Sequence, residues 1–470
     1  MILILLPNQL FEKKYLPKVD KIYLIEEPVY FGYRENKMNF NKLKLVLHRA
    51  SMKYYADYNK DVKYIDIDNI NYKTLLKGDI IMFHPHDYFL ENKYKKYNKN
   101  IKYIDNPNFI LSDNQLEKYY EKVKNKKVRH SAFYNYVKKQ IDILKNEKSY
   151  DKDNRVALPK NINIPNIPTI KDNKYISEAK KYIDKKFNNN YGDVNDFIYP
   201  ITHKEAEKWL DNFIKKRFEN FGKYQDAIDS KEPFLFHSVI SPMVNIGLLM
   251  PNDIVDKIEK EYKKSKKINI NDFEGFIRQI IGWREYQRFC YKYYYKDMTS
   301  NNVFKNKNKI NKNWYYGTTG IEPVDFAIKT AFKYGYLHHI MRLMVMGNFM
   351  NLCQIHPDEI YKWMMEFSCD SYDWVMIQNV YSMASWSDEG LTMSKPYIST
   401  DNYIMKMSNF KKGEWNNIWK SLFYNFTDNH ETIIEKTPYK RNIKYFKKLS
   451  SDKQMEIKKI AKDFIKKNSL

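Results

Sequence analysis

The sequence predicts an α/β domain built on a parallel sheet followed by an all-α domain, on three observations. Near the start, short apolar runs alternate with helical patterns. From about His203 onward strand signals fade and a periodicity of about 3.6 residues takes over. At 470 residues the chain exceeds what one hydrophobic core usually holds, so two domains are expected.

The strand candidates, in order, are ILILL, KIYLIEE, VKYIDID, DIIMFH and IKYID. A helix from about Asn39 to Tyr58 lies among them, with Leu43, Leu47, Ala50 and Tyr54 on one face. The sheet region ends near Leu111, and a basic helical stretch from Lys122 to Lys145 leads into SYDKDNRVALPKNINIPNIPTIKDN. Its prolines and asparagines mark a long interdomain connection. The expected organisation is therefore an α/β domain over 1–125, a basic helix and linker over 126–202, and a helical domain over 203–470. Pro357 at a first helical position, followed by Asp358 and Glu359, starts one helix of that domain. SSDKQMEIKKIAKDFIKK forms an amphipathic basic helix at the end. The chain has no P-loop and no Gly-x-Gly-x-x-Gly, and its 13 glycines argue against phosphate cradling by glycine-rich turns.

Lys and Arg number 81 against 57 Asp and Glu, a net charge of +24. Such an excess favours a polyanion, nucleic acid above all, and the alternative is lysine spread over solvated faces. Three scattered cysteines, Cys290, Cys353 and Cys369, exclude a disulfide framework and paired metal-ligand spacing; they read as core thiols of a reducing compartment. No run approaches the roughly 20 apolar residues of a membrane helix and MILILLPNQLF is not a signal peptide, so a soluble intracellular monomer is expected.

Four segments carry polar residues in patterns suited to chemistry. In EPFLFHSVISPMVNIGLL, Ser238 and Ser241 precede Pro242 where a helix can begin; they read either as phosphate-binding hydroxyls or, more commonly, as an ordinary cap. In EGFIRQIIGWREY, Arg278, Gln279, Trp283, Arg284 and Glu285 crowd one helix, satisfying one another or holding a polar, aromatic-friendly ligand. His338 and His339 sit in an apolar setting with Arg342 one turn on, and adjacent positions do not make a zinc pair. One of them facing a pocket would donate a proton; both buried in the core is the commoner case. Trp363 shares an apolar face with Ile360 and Phe367, which by itself means packing. The stretch His84-Pro-His-Asp87 reads as a solvated loop rather than a metal site.

Taken together these stretches resemble the photolyase/cryptochrome superfamily, and within it the prokaryotic (6-4) branch that carries an iron–sulfur cluster. The resemblance rests on FGKYQDAI at 221–228, EPFLFHSVISPMVNIGLL, FIRQIIGWREY, YLHHIMRLMVMGNF at 336–349, and SYDWVMIQNVYSMASW followed by SKPYISTDNYIMKMS. LLPNQLF, IEEPVYFG, KVRHSAFYNYV and SYDKDNRVALP extend it across essentially the whole chain. It implies a Rossmann-like antenna domain and an all-α domain that binds FAD. Ser238 and Ser241 become FAD phosphate ligands, Tyr224, Gln279, Trp283 and Arg284 wall the flavin pocket, and Asp370 and Asn379 lie near the isoalloxazine. Relatives often carry a glutamate where this chain has Met376.

The resemblance also implies a reaction, light-driven repair of (6-4) photoproducts in UV-damaged DNA by electron transfer from excited reduced FAD. His339 takes the role of the lesion-facing proton donor beside His338, and Tyr397 flanks the lesion. Leu343 stands where animal-type enzymes have a further histidine. Trp363 matches a tryptophan that relays electrons, with the outer member at Trp314 or Tyr315. A lumazine-type antenna is a second chromophore of the branch, and Asn8, Gln9, Glu26 and Glu27 match segments near its site. The branch's cluster cysteines fall at Pro323, Lys411, Glu414 and near Asn417, none of them a ligand, so no iron–sulfur cluster and no other metal is expected. Those replacements suggest a region repacked to face solvent. A cryptochrome-like photoreceptor without repair activity is the alternative; a nucleic-acid-binding protein with a vestigial flavin pocket is the third reading.

Overall fold

The computed structural model describes residues 1–124 and 126–470; position 125, the expected end of the first domain, lies outside them. All five expected strands form: β1 (Ile2–Leu5), β2 (Lys21–Ile25), β3 (Val62–Ile65), β4 (Ile80–Phe83) and β5 (Lys102–Ile104). They pair in parallel in the order β3-β2-β1-β4-β5. The winding reverses between β1 and β4, which makes the carboxyl ends of those two strands the switch point where such sheets receive a ligand or a partner.

The helix Lys42–Tyr58 crosses from β2 to β3. Leu43, Leu47 and Ala50 are buried as expected, while Tyr54 lies at the rim, stacked on Tyr58 at 5.9 Å. Its other face is buried too, because the helix Lys174–Lys186 docks on it. Arg49 Nη2 meets Glu178 Oε1 at 2.8 Å and the Arg49 guanidinium covers Tyr182 at 3.4 Å. The connecting stretch thus packs Ile176, Ala179 and Ile183 against the α/β domain rather than hanging free.

The basic helix expected over Lys122–Lys145 is not continuous. One helix, Asp113–Val123, ends there and another spans only His130–Gln140. Arg129 is extended and bonds Gly390 O at 3.3 Å, so the chain leaves the helical path to dock. Asp142 and Leu144 take positive φ, which stops the second helix before Lys145.

Beyond β5 the described residues form helices, with only isolated bridges such as Asn308 with Ile355. Pro357 opens the helix Pro357–Phe367, and the last helix is Ser451–Asn468. No helix among the described residues is long and apolar enough to cross a membrane.

The two halves meet at the switch point through buried charge. His84-Pro-His-Asp87 is not a solvated loop: His86 and Asp87 are buried, because the loop at the β4 end is where the helical half docks. Asp87 caps the helix Tyr88–Lys95 and pairs with Arg34 at 2.7 Å; Arg34 also lies 3.3 Å from Asp373 of the helical half. Tyr291 and Tyr361 both donate to Asp373, the first at 2.5 Å. Removing one member of such a set costs about 3–5 kcal/mol, since it strands a buried charge.

His48 bridges the same seam, its ring nitrogens 3.1 Å from Tyr30 O and 2.8 Å from the Tyr372 hydroxyl. Burial, aided by the Lys44 ammonium, pushes its pKa down to about 3. The unfolded chain therefore takes up the proton first as pH falls below about 6.5, and stability present above that pH is lost toward pH 3. Equilibrium denaturation at about pH 7.5 and about pH 5 should show roughly 2 kcal/mol less stability at the lower pH from this residue. His48→Gln should remove that part of the difference; an unchanged difference contradicts the assignment.

Candidate functional site

The helical half encloses a cavity of about 780 Å³. Three helical segments wall it, and each passes through a π-helical turn there: Arg278–Arg284, Met341–Gly347 and Gln378–Ala384. A π turn widens the helix and re-aims its side chains, and such turns concentrate at functional sites. The first brings Gln279, Trp283 and Arg284 to the cavity, the second Arg342 and Leu343, the third Asn379.

The fourth wall is irregular. Val239 has φ of 55°, an outlier for a β-branched residue, and strain of that kind gathers at ligand sites. The bend places Ser238 on the cavity and starts the short helix Ser241–Asn245 with Pro242 in its first turn.

Asp370 ties these walls together. Its carboxylate takes a bidentate pair from Arg342 at 2.8 and 3.0 Å, a bond from Ser241 Oγ at 2.5 Å and another from Ser368. Its carbonyl accepts from Asn245 Nδ2 at 2.7 Å. Burial alone would raise the carboxyl, but the Arg342 charge and the hydroxyl bonds hold it below its ordinary value. Arg342 also donates to Leu337 O at 2.6 Å, which anchors the turn carrying the histidines.

Arg284 donates to Asn108 O at 3.2 Å, bonds Asn245 and lies over the Trp374 ring at 4.7 Å. Trp283 stacks on His130 with ring centres 3.8 Å apart. Gln279 Nε2 and Asn379 Nδ2 bond the carbonyls of Gly275 and Val375, one helical turn back. Met376 and Tyr397 also line the cavity.

The adjacent histidines separate as helix geometry requires. His339 has a side chain 43% exposed, with Nε2 3.3 Å from Asp226 Oδ1. His338 is buried and stacks on His237 at 4.6 Å with planes 11° apart.

Four expected site residues stand off the cavity. Tyr224 packs with Phe236 and Leu235 in a satellite cluster, and its neighbours Gln225 and Asp226 reach the wall instead. Trp363 lies behind the wall, its Nε1 donating to Trp314 O at 2.8 Å. Trp314 turns away, donating to Asn468 O. Tyr315 stacks on Tyr191 at 4.5 Å and donates to Glu366 at 2.8 Å; Phe332 lies 6.0 Å from Trp363 and 5.9 Å from Tyr315. Sequence reasoning did not single out Gln225, Asp226, His237 and Asn245, although all lie inside the segments that carry the resemblance.

The cavity residues fit a flavin dinucleotide. The volume is that of a cofactor pocket. Gln225 Oε1 and His130 Nε2 are buried on its lining residues without a hydrogen-bond partner, polar groups that a flavin would satisfy.

The residues matched to an antenna do not fit one. Glu26 is taken by Arg49 at 2.7 Å, by Tyr64 and by Ile67 N; Glu27 by Tyr72, Lys93 and Tyr94. Gln9 bonds Leu6 N and Phe83 O, which leaves only Asn8 Oδ1 without a partner. At the positions of the branch's cluster, Lys411, Glu414 and Asn417 are exposed, whereas Pro323 is buried in the first turn of Glu322–Tyr334, so the repacked region faces solvent only in part. Cys290, Cys353 and Cys369 are buried free thiols on three separate segments and do not fit a cluster.

Residues 3–199 match the family described as deoxyribodipyrimidine photo-lyase-related protein, and residues 274–419 the FAD binding domain of DNA photolyase. The chain is 33% identical over 285 residues to a (6-4) photolyase of Agrobacterium fabrum, a match covering 59% of this chain and 56% of that protein. It therefore spans little more than half the length of that relative. An uncharacterised protein of Acanthamoeba polyphaga mimivirus is 54% identical over 112 residues, 24% of this chain and 85% of its own. The fold is similar to a bacterial class III photolyase from Agrobacterium tumefaciens, with TM-score 0.53, 13% identity and coverage of 99% and 98%. It is equally similar to a Synechocystis cryptochrome, at 0.53, 11%, 97% and 93%.

Asp370→Ala leaves the largely buried Arg342 guanidinium without its carboxylate, and a stability loss of about 3 kcal/mol, the low end of the range for a buried pair, is expected in chemical denaturation. A variant as stable as the wild type would contradict the tie.

Proposed function

Because this chain belongs to the photolyase/cryptochrome superfamily, we propose that it repairs UV-damaged DNA in light, acting on (6-4) pyrimidine–pyrimidone adducts with FAD as cofactor. The observation that carries the reading is a shared cavity. Residues matched to the flavin (Ser238, Ser241, Arg284, Asn379) and residues matched to the lesion (His339, Tyr397) line the same space.

Bound in its reduced form, FAD supplies the electron when it absorbs light. Ser238 and Ser241 would hold its phosphates; the Ser241 hydroxyl, which here donates to Asp370, would turn its one proton to the phosphate. His339 supplies the proton that assists return of the hydroxyl to its original base; its half-exposed ring is within reach of a flipped nucleotide, and Asp226 orients it. His338, buried against His237, supports that geometry rather than touching the lesion. Leu343 on the same wall offers the lesion an apolar contact where a second histidine would be ionisable. The net surplus of lysine and arginine favours binding to the phosphates of DNA.

Electrons that replenish the cofactor would pass inward from Tyr315 rather than Trp314 and through Trp363 to the flavin, since the Phe332 ring lies within about 6 Å of both Tyr315 and Trp363 while Trp314 faces Phe349. With no thiol at the cluster positions, the proposed reaction needs no iron–sulfur cluster, and the reduced FAD itself absorbs the light it uses.

The test is illumination of the reduced protein with an oligonucleotide carrying one defined (6-4) lesion. Wild type should restore the bases, and His339→Ala should lower the rate by about 10²–10⁴-fold. Absence of repair by wild type points to the photoreceptor alternative; full repair by His339→Ala sinks the proton-donor role. In the same preparation Tyr315→Phe should slow photoreduction more than Trp314→Phe, and the reverse order would contradict the relay.

A further inference from the structure

We propose that His237, His338 and His339 form a binding site for one divalent transition-metal ion of the zinc class on the cavity wall. Adjacent histidines on a helix cannot both face an ion, so the spacing of His338 and His339 alone does not make a metal pair. The third histidine changes that. His237 arrives from the strained segment before Ser241, and one nitrogen from each of the three rings lies within 4.8 Å of the others.

Two further observations point to a ligand. His237 Nε2 and His338 Nδ1 are buried inside the protein with no hydrogen-bond partner, and both residues are more than nine-tenths buried. Leaving such groups unsatisfied is costly, and a bound ion would satisfy both at once. His339 has Nε2 beside Asp226, which leaves Nδ1 for the ion and reproduces the carboxylate–histidine arrangement that orients metal-bound imidazoles.

The donor set selects the metal. Three imidazoles suit zinc, copper or nickel, whereas magnesium and calcium require oxygen ligands that this triad lacks. Zinc–nitrogen bonds of about 2.0–2.1 Å around a tetrahedron need nitrogens roughly 3.3 Å apart. The cluster must therefore contract, and one ring of the parallel His237–His338 pair must turn so that the two lone pairs converge. All three residues line the cavity, so that motion has room, and three protein ligands leave the ion's fourth position for a water molecule.

Ion binding itself is independent of the reaction. Its consequence rests on the repair reading: an ion on His339 withdraws the ring from proton donation, so zinc inhibits repair and a chelator restores it.

Calorimetric titration of chelator-stripped, flavin-loaded protein with zinc chloride, in the dark and without DNA, should show saturable uptake of one ion per chain. His237→Ala and His339→Gln should each abolish that uptake, and Asp226→Asn should weaken it by about 10–100-fold. Because His237→Ala disturbs a buried stack, its flavin content and thermal melt are read alongside; His339→Gln, at a half-exposed position, tests the site without disturbing that stack. Cobalt in place of zinc should show the ligand-field absorption of nitrogen coordination. Absence of saturable uptake, or uptake unchanged in both histidine variants, overturns the site. Zinc uptake that leaves lesion repair unaltered overturns His339 as a ligand. A zinc-free protein that fails to repair at all overturns the proposed reaction, while one-ion uptake lost in both histidine variants still supports the site.

Discussion

The cavity depends on one ion pair. Asp370 is buried and Arg342 largely so, and the Arg342 charge is what holds the Asp370 carboxylate ionised there. Through its remaining bonds Asp370 also fixes Ser241 and Asn245 of the irregular wall, and through Arg342 it fixes Leu337 before the histidine turn. A single carboxylate thus sets the spacing between the wall proposed to hold phosphates and the wall that presents His339. The cost of burying two charges is offset by geometry that no apolar contact would specify.

A second buried set does the same between the halves of the chain. Arg34 and Asp87 belong to the sheet half, and Asp373 follows Asp370 by three residues. The interdomain seam and the cavity wall are therefore built on one short segment, 368–377. Tyr372 extends the seam to His48, and Trp374 turns back to Arg284 on the cavity. Docking of the halves and the shape of the site are mechanically linked.

What the sequence made legible follows from range. The five strands and the Pro357 helix rest on local periodicity and capping, and the structure reproduces them. So does the grouping of Ser238, Ser241, Gln279, Trp283, Arg284, Asp370 and Asn379 around one space, because the segments that resemble the family carry it together. Features set by tertiary docking were not legible. The loop at His84–Asp87 looks solvated until a second domain covers it, and the helix expected through Lys145 is broken by docking at Arg129 and positive φ beyond Gln140. Tyr224 alternates away from the cavity while Gln225 and Asp226 face it, a one-residue difference that spacing alone does not resolve. His237 meets His338 only through the strained turn at Val239. The π turns likewise leave no periodic trace, yet they decide which residues of each helix reach the site.

The central claim is that this single cavity, tied by Asp370 and Arg342, is where flavin and lesion meet. A crystal structure of the flavin-loaded protein tests it most directly. It should show FAD inside the cavity, with its phosphates at Ser238 and Ser241, its ring system beside Asn379 and Met376, and His339 facing the open side. A flavin bound elsewhere, or a protein that takes up no flavin with the Asp370–Arg342 pair intact, would contradict it.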